Sequence, residues 1–297
     1  RQRRGGKGVK GTTTKDEEYV EHLFVATNHN YILFFTEKGK CYWLKVYEIP
    51  EGSRLARGRA IVNLIEIDKE DQIKTFVPVK TLDEEEYIKN RFIIMATKGG
   101  QIKKTALEAY SRPRRDGIIA INIKDDDMLL GASLTDGDSN IILANRSGRA
   151  IRFHENDVRE MGRNTSGVRG MTLGKKDVIV DMVIIKNTHE ATVLAISENG
   201  YGKRSLVEDY REQSRGGKGV ITLKITPKTG DLIALKEVTD QDDLMIITER
   251  GKVIRMSCKS IRTMGRNTQG VRMMRLDEDG SIAAVTRVVN EDDEDVI

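Results

Sequence analysis

What constrains this chain most is a basic, glycine-containing loop that returns at a nearly fixed interval. It occurs as Gln2-Arg3-Arg4-Gly5-Gly6-Lys7-Gly8, Ser53-Arg54-Leu55-Ala56-Arg57-Gly58, Ser111-Arg112-Pro113-Arg114-Arg115-Asp116-Gly117, Met161-Gly162-Arg163-Asn164-Thr165-Ser166-Gly167, Gln213-Ser214-Arg215-Gly216-Gly217-Lys218-Gly219 and Met264-Gly265-Arg266-Asn267-Thr268-Gln269-Gly270. The closing glycines, Gly8, Gly58, Gly117, Gly167, Gly219 and Gly270, lie 50, 59, 50, 52 and 51 residues apart. Six copies at that period describe an array of supersecondary units, so the 297 residues read as one domain.

Within the repeat from Gly117 to Gly167, strands are expected over 118–123, 128–134, 141–144 and 149–153, with a short helical piece over 155–161. A tight turn precedes the last strand and recurs with its own glycine at Gly39, Gly100, Gly148, Gly200 and Gly251. Those glycines stand 19, 17, 19, 19 and 19 residues before the closing glycine, which fixes the loop at one place on every unit. Four short strands per unit mark a propeller blade, and a radial array of blades puts all the loops on one circumference.

The expectation is an all-β ring of six four-stranded blades over residues 1–290, followed by an acidic tail at 291–297. Only two strands follow the sixth loop, and Arg1 opens directly on a loop. The chain therefore reads as excised from a longer polypeptide, with its N- and C-terminal strands sharing a blade.

An apolar content of 38% with only 5% aromatics suits many thin sheets better than one thick core. No run of 18 apolar residues and no signal pattern occurs, so a soluble cytoplasmic location is expected. Cys41 and Cys258 lie in strand-like runs as structural thiols, and His22, His29, His154 and His189 have no metal-ligand spacing. Asp136 to Asn140 lacks the glycine and terminal glutamate of a calcium loop and reads as a hairpin turn. Val220 follows Gly216-Gly217-Lys218-Gly219 where a nucleotide-hydrolysing loop needs Ser or Thr. With no nucleophile–base set or carboxylate pair either, neither catalysis nor a cofactor is expected.

Charge gives the loops their role. The chain carries 50 Lys and Arg against 46 Asp and Glu, a net of +4 that is uninformative until it is located. Windows around the loops hold 19 basic residues opposed only by Asp116 and Glu212, leaving an acidic body beneath a basic track. The loops carry no interleaved aromatics for stacking unpaired bases, and no recognition helix has zinc, homeodomain or zipper spacing. A basic belt on a rigid curved edge matches double-stranded DNA held by its phosphates and bent. A propeller serving as a protein-interaction platform would instead show a neutral rim and Trp-Asp dipeptides, of which there are none.

On these residues the chain resembles a known family. Gln2 to Gly8 is similar to the box that marks the C-terminal domain of the A subunit of bacterial DNA gyrase, a type IIA topoisomerase. Tyr201-Gly202-Lys203-Arg204 and Met264 to Val271 resemble that domain's blade motifs. The paralogous topoisomerase IV domain has fewer or degenerate blades and lacks the intact box.

The resemblance implies a six-bladed β-pinwheel with strands exchanged between neighbours. Around it DNA wraps in a positive sense, delivering a crossing segment for strand passage and negative supercoiling. It implies partnership with the gyrase A N-terminal catalytic core and gyrase B in an A2B2 assembly, where ATP and magnesium are used; the isolated chain is expected to be a monomer, without membrane contact. The DNA-binding residues it implies are Gln2, Arg3, Arg4, Gly5, Gly6, Lys7 and Gly8 as the anchor, then Arg54, Arg57, Arg59, Arg112, Arg114, Arg115, Arg163, Arg169, Arg215, Lys218, Arg266 and Arg272.

Overall fold

In four of the five hairpins a side chain at the end of the first strand closes the turn the same way. Thr36, Thr97, Asn145 and Thr248 accept a hydrogen bond from the backbone N–H four residues on, at 2.8–3.2 Å. Gly39, Gly100, Gly148 and Gly200 hold φ of 80–88°, the left-handed region that disfavours any side chain. The chain is seen in a computed structural model that describes residues 9–10, 27–51, 60–186, 191–250, 252–276 and 280–288.

In chain order the strands are β1 (Val9–Lys10), β2 (Tyr31–Thr36), β3 (Lys40–Lys45), β4 (Ile73–Val79), β5 (Phe92–Thr97), β6 (Gln101–Ala106) and β7 (Ile118–Ile119). Next come β8 (Leu129–Thr135), β9 (Asn140–Asn145), β10 (Arg149–His154), β11 (Val168–Arg169), β12 (Ile179–Ile185), β13 (Thr192–Ser197) and β14 (Tyr201–Leu206). The last are β15 (Val220–Ile221), β16 (Leu232–Val238), β17 (Asp243–Thr248), β18 (Lys252–Ser257), β19 (Val271–Arg272) and β20 (Ile282–Val288).

They pair into five antiparallel sheets, β4-β2-β3-β7, β8-β5-β6-β11, β12-β9-β10-β15, β16-β13-β14-β19 and β20-β17-β18-β1. The six blades expected from six loops are thus corrected to five. The reason lies in what a blade is built on. Each sheet grows on a hairpin, and five hairpins stand among the described residues, from β2–β3 to β17–β18. The strands between two successive loops do not form one sheet: β7 joins β3, β8 joins β5, and only β9 and β10 stay together. Counting loops therefore miscounts blades. The strand after the first loop, β1, is the outer edge of the fifth sheet, with Val9 opposite Val253, so this sheet holds both the first and the last of the described strands. The expected strand at 118–123 is likewise trimmed to two residues.

The long edge strands β4, β8, β12, β16 and β20 pack on one another in succession, which places them toward the axis and the two-residue strands toward the rim. No comparable packing joins β20 to β4 among the described residues. Each long edge strand shifts register against its partner at the same point, opposite Phe35 and Thr36 of β2 or Ala96 and Thr97 of β5, a bulge that adds twist.

The core lies between blades. Ile93 and Met95 of β5 meet Leu33, Phe35 and Trp43 of the first blade, while Ile94 and Ala96 meet Ile141, Leu143 and Phe153 of the third. Because both faces are buried, these strands are apolar at nearly every position.

A second link joins blades through the fourth residue after four of the turn glycines, Gly39, Gly100, Gly148 and Gly200. Trp43 Nε1 donates to Tyr110 O at 3.0 Å, Arg152 Nη1 to Tyr210 O at 3.2 Å, and Arg204 Nη1 to Cys258 O at 3.0 Å. Lys104, in the same register, forms a buried ion pair with Glu155 at 2.9 Å. These side chains clasp the first turn after the next hairpin and are not rim charges.

Candidate nucleic-acid interface

Each described loop begins after a 3₁₀ turn that follows the second strand of a hairpin, crosses the outer edge, and enters the two-residue strand of the preceding blade. The crossing demands glycine. Gly117, Gly167, Gly219 and Gly270 have φ of 69–82°, and a Cβ at Gly219 would stand 2.3 Å from Ala150 O.

Successive loops are tied to one another. Asn122 N donates to Thr165 O at 3.0 Å, Thr172 N to Gly217 O at 2.9 Å and Lys224 N to Thr268 O at 3.0 Å. The loop arginines add a second set of links along the belt. Arg163 Nη1 donates to Ile119 O at 3.0 Å, Arg215 Nη1 to Arg169 O at 2.9 Å and Arg266 Nη1 to Ile221 O at 2.7 Å, and all three acceptors are the second residue of an outermost strand. The four described loops thus form one continuous belt, and its side chains share the outer edge.

Of the residues expected at the interface, Arg112, Arg114, Arg115, Arg169, Lys218 and Arg272 are exposed, whereas Arg163, Arg215 and Arg266 are half-buried by their belt contacts. A guanidinium has five N–H donors, so those three retain hydrogen-bonding capacity outward. Arg115 also pairs with Glu66 at 2.7 Å, and Arg272 lies 5.5 Å from the Tyr201 ring centroid and donates to its hydroxyl. Between neighbouring loops a shallow groove of about 590 Å³ is lined by Gly167, Val168, Arg169, Arg215 and Gly216. Gln2, Arg3, Arg4, Gly5, Gly6, Lys7, Gly8, Arg54, Arg57 and Arg59 lie outside the described residues, as do the tail at 291–297, His22 and His189.

Three cations that prop the belt are given no binding role by the sequence, although Lys203 stands within the 201–204 motif. Lys103, fully buried on β6, donates to Ala120 O at 2.7 Å and to Arg163 O. Lys203, fully buried on β14, donates to Gly265 O at 2.6 Å and to Arg266 O. Burial, and secondarily the neighbouring arginine, brings each ammonium down to about 8. Under the loop 213–219 the third residue after the turn glycine is Ile151 instead, and Arg149 supports the loop from the side through Lys218 O at 3.1 Å and Gly219 O at 2.7 Å. The signal for these props is present as register: Tyr42, Lys103, Ile151, Lys203 and Ile254 each stand third after a turn glycine.

The thiols Cys41 and Cys258 are buried and unpaired with each other, and burial pushes both up, Cys258 to about 12. His154 contacts exposed Asp138 at 3.1 Å at the hairpin turn 136–140. Among the described residues no three His, Cys, Asp or Glu side chains gather as metal ligands, and no helix is long and apolar enough to cross a membrane.

Comparison with known proteins converges on one family. The family described as DNA gyrase C-terminal domain, beta-propeller, matches residues 1–27, 30–80, 91–136, 139–186, 191–239 and 242–288. Among curated proteins the chain is 39% identical to the DNA gyrase A subunit of Haemophilus influenzae over 99% of this chain and 36% of that protein. It is 42% identical to the DNA gyrase A subunit of Salmonella typhimurium over 99% of this chain and 33% of that protein. The chain thus spans about a third of the length of the curated relatives it matches. Its fold superposes on a solved DNA gyrase A C-terminal domain with a TM-score of 0.83 and 26% identity, covering 97% of this chain and 92% of that one. A solved C-terminal domain of DNA topoisomerase IV gives a TM-score of 0.78 at 26% identity, covering 88% and 80%.

Proposed function

The chain belongs to the DNA gyrase C-terminal domain family, and from that premise we propose that it binds, bends and wraps double-stranded DNA around its basic rim without itself catalysing a reaction. The observation that carries this reading is the belt. Loops that are hydrogen-bonded to one another present their cations at successive stations on a curved edge, so a stiff polyanion has to curve to meet them all.

The expected site residues act as phosphate ligands in two ways. Arg112, Arg114, Arg115, Arg169, Lys218 and Arg272 reach out from exposed positions, while Arg163, Arg215 and Arg266 share themselves between a protein carbonyl and the DNA. The box from Gln2 to Gly8 supplies the anchor at one end of the wrap. Arg54, Arg57 and Arg59 supply the station between the box and Arg112.

In a cytoplasmic gyrase holoenzyme the wrapped segment would be handed to the gyrase A catalytic core and gyrase B in an A2B2 assembly, where ATP and magnesium are used. The intact box favours this assignment over topoisomerase IV. A salt titration with linear duplex DNA tests the binding. A wrap engaging on the order of ten phosphates gives a log–log slope of about −9. A slope near zero contradicts the proposal.

A further inference from the structure

The two buried lysines beneath the belt do more than fill space. We propose that Lys103 and Lys203 supply a further positive charge, beside Arg169 and Arg272, at the two rim stations whose loops carry a single arginine, with DNA phosphate as their counter-ion. This rests on the DNA-binding reading above and names residues which that reading leaves out.

The first support is compensation. The loops 161–167 and 264–270 hold one cation each, Arg163 and Arg266, and they lie over Lys103 and Lys203. The loop 213–219 holds Arg215 and Lys218 and lies over Ile151. Three arginines in 111–117 sit above Tyr42, against which Gly117 packs. The box Gln2 to Gly8 carries three cations and leads into β1, which pairs with the strand carrying Ile254. Among the described loops, a cation lies below where the loop is poor in charge, and an apolar or aromatic residue where it is rich.

The second support is what the ammonium groups touch. Both donate only to main-chain carbonyls, and among the described residues neither has a carboxylate within ion-pair distance. A buried cation without a counter-ion is costly, and a phosphate laid across the loop above would offset that cost. The carbonyls they hold include those of Arg163 and Arg266, so the same bonds position the loop arginines.

The charged surroundings are sparse. Facing Lys103 is Arg163, with exposed Asp116, Arg159 and Glu160 on the flanking segments, and with the Cys41 thiol and Tyr110 phenol both pushed up by burial and neutral. Lys203 is faced by Arg266 and, more weakly, Asp209; exposed Arg262 flanks it, and the Tyr210 phenol is pushed up to about 12. Lysines at about 8 that gain a phosphate must take up protons on binding, so DNA affinity should fall as pH rises above 8. Folding responds with the opposite sign. An ammonium held below its unfolded value makes the chain more stable as pH rises from about 8 toward 10.5. Weakened binding at high pH therefore cannot come from unfolding driven by these groups.

The experiment measures affinity of this chain for linear duplex DNA at fixed ionic strength from pH 7 to 9, beside Lys103→Met/Lys203→Met and Lys103→Arg/Lys203→Arg. If phosphate raises each lysine by one unit, the parent chain loses roughly fivefold affinity per lysine over that range. The methionine variant should bind more weakly at pH 7 and be flat with pH; the arginine variant should be flat and keep its affinity at pH 9. A flat profile for the parent chain overturns the proposal even if the variants fail to fold. So does a methionine variant that keeps the parental slope. Strong salt dependence with either result leaves DNA binding intact and refutes only the lysines, whereas absence of salt-dependent binding at pH 7 refutes both readings.

Discussion

The loops 213–219 and 264–270 cross equivalent outer edges with different chemistry. The first carries two cations and three glycines, lies over Ile151, and is held from the side by Arg149. The second carries one arginine, spans its turn with a Thr268 hydroxyl donating to Gly265 O at 3.0 Å, and is held from below by Lys203. Both keep the arginine that reaches the neighbouring outer strand, and both close on a left-handed glycine. The path of the backbone is therefore the shared requirement, and the place of a further charge is free to move between loop and strand.

The sharpest way to break this comparison is at the shared feature. Gly219→Ala places a Cβ 2.3 Å from Ala150 O and forces a left-handed φ, and Gly270→Ala brings one 2.6 Å from Gly202 O. Each should cost about 2–4 kcal/mol in urea unfolding, with Gly219 the more severe. Equal tolerance of alanine at both sites would mean that the crossing is not tight. A smaller effect is expected from Arg149→Met, which removes two bonds to loop carbonyls. Stability should fall by about 1 kcal/mol and DNA affinity severalfold, by the same factor from pH 7 to 9 because Lys103 and Lys203 remain. Smallest are Lys218→Ala and Arg272→Ala at exposed positions. Each should leave stability within about 0.5 kcal/mol and lower the salt slope by roughly one, measured by repeating the titration.

The local structure is legible in the sequence because it depends on local chemistry. The expected strands at 128–134, 141–144 and 149–153 fall on Leu129–Thr135, Asn140–Asn145 and Arg149–His154, and the turn glycines Gly39, Gly100, Gly148 and Gly200 have the positive φ their position requires. The blade count is not legible in the same way, because partner choice is not local. Ile118–Ile119 looks like any other apolar stretch, and nothing within it says that it pairs with Cys41 and Lys40, more than seventy residues earlier.

Charged residues divide for a similar reason. Lys104 and Arg204 are as basic as Arg169, yet the first two are buried as clasps between blades and the last is exposed on the rim. Composition counts all three alike. Lys103 and Lys203 stay hidden because a buried lysine contradicts the usual surface preference, and only the carbonyls above them explain the exception.

A DNA topology measurement reaches the central claim most directly. Nicked circular DNA is ligated with increasing amounts of this chain, the protein is removed, and the linking-number distribution is read. Wrapping around the belt in the positive sense predicts a progressive rise in mean linking number that disappears when Arg163, Arg169, Arg215, Lys218, Arg266 and Arg272 are replaced together. An unchanged distribution, under conditions where the chain is shown to be bound to that DNA, would contradict it.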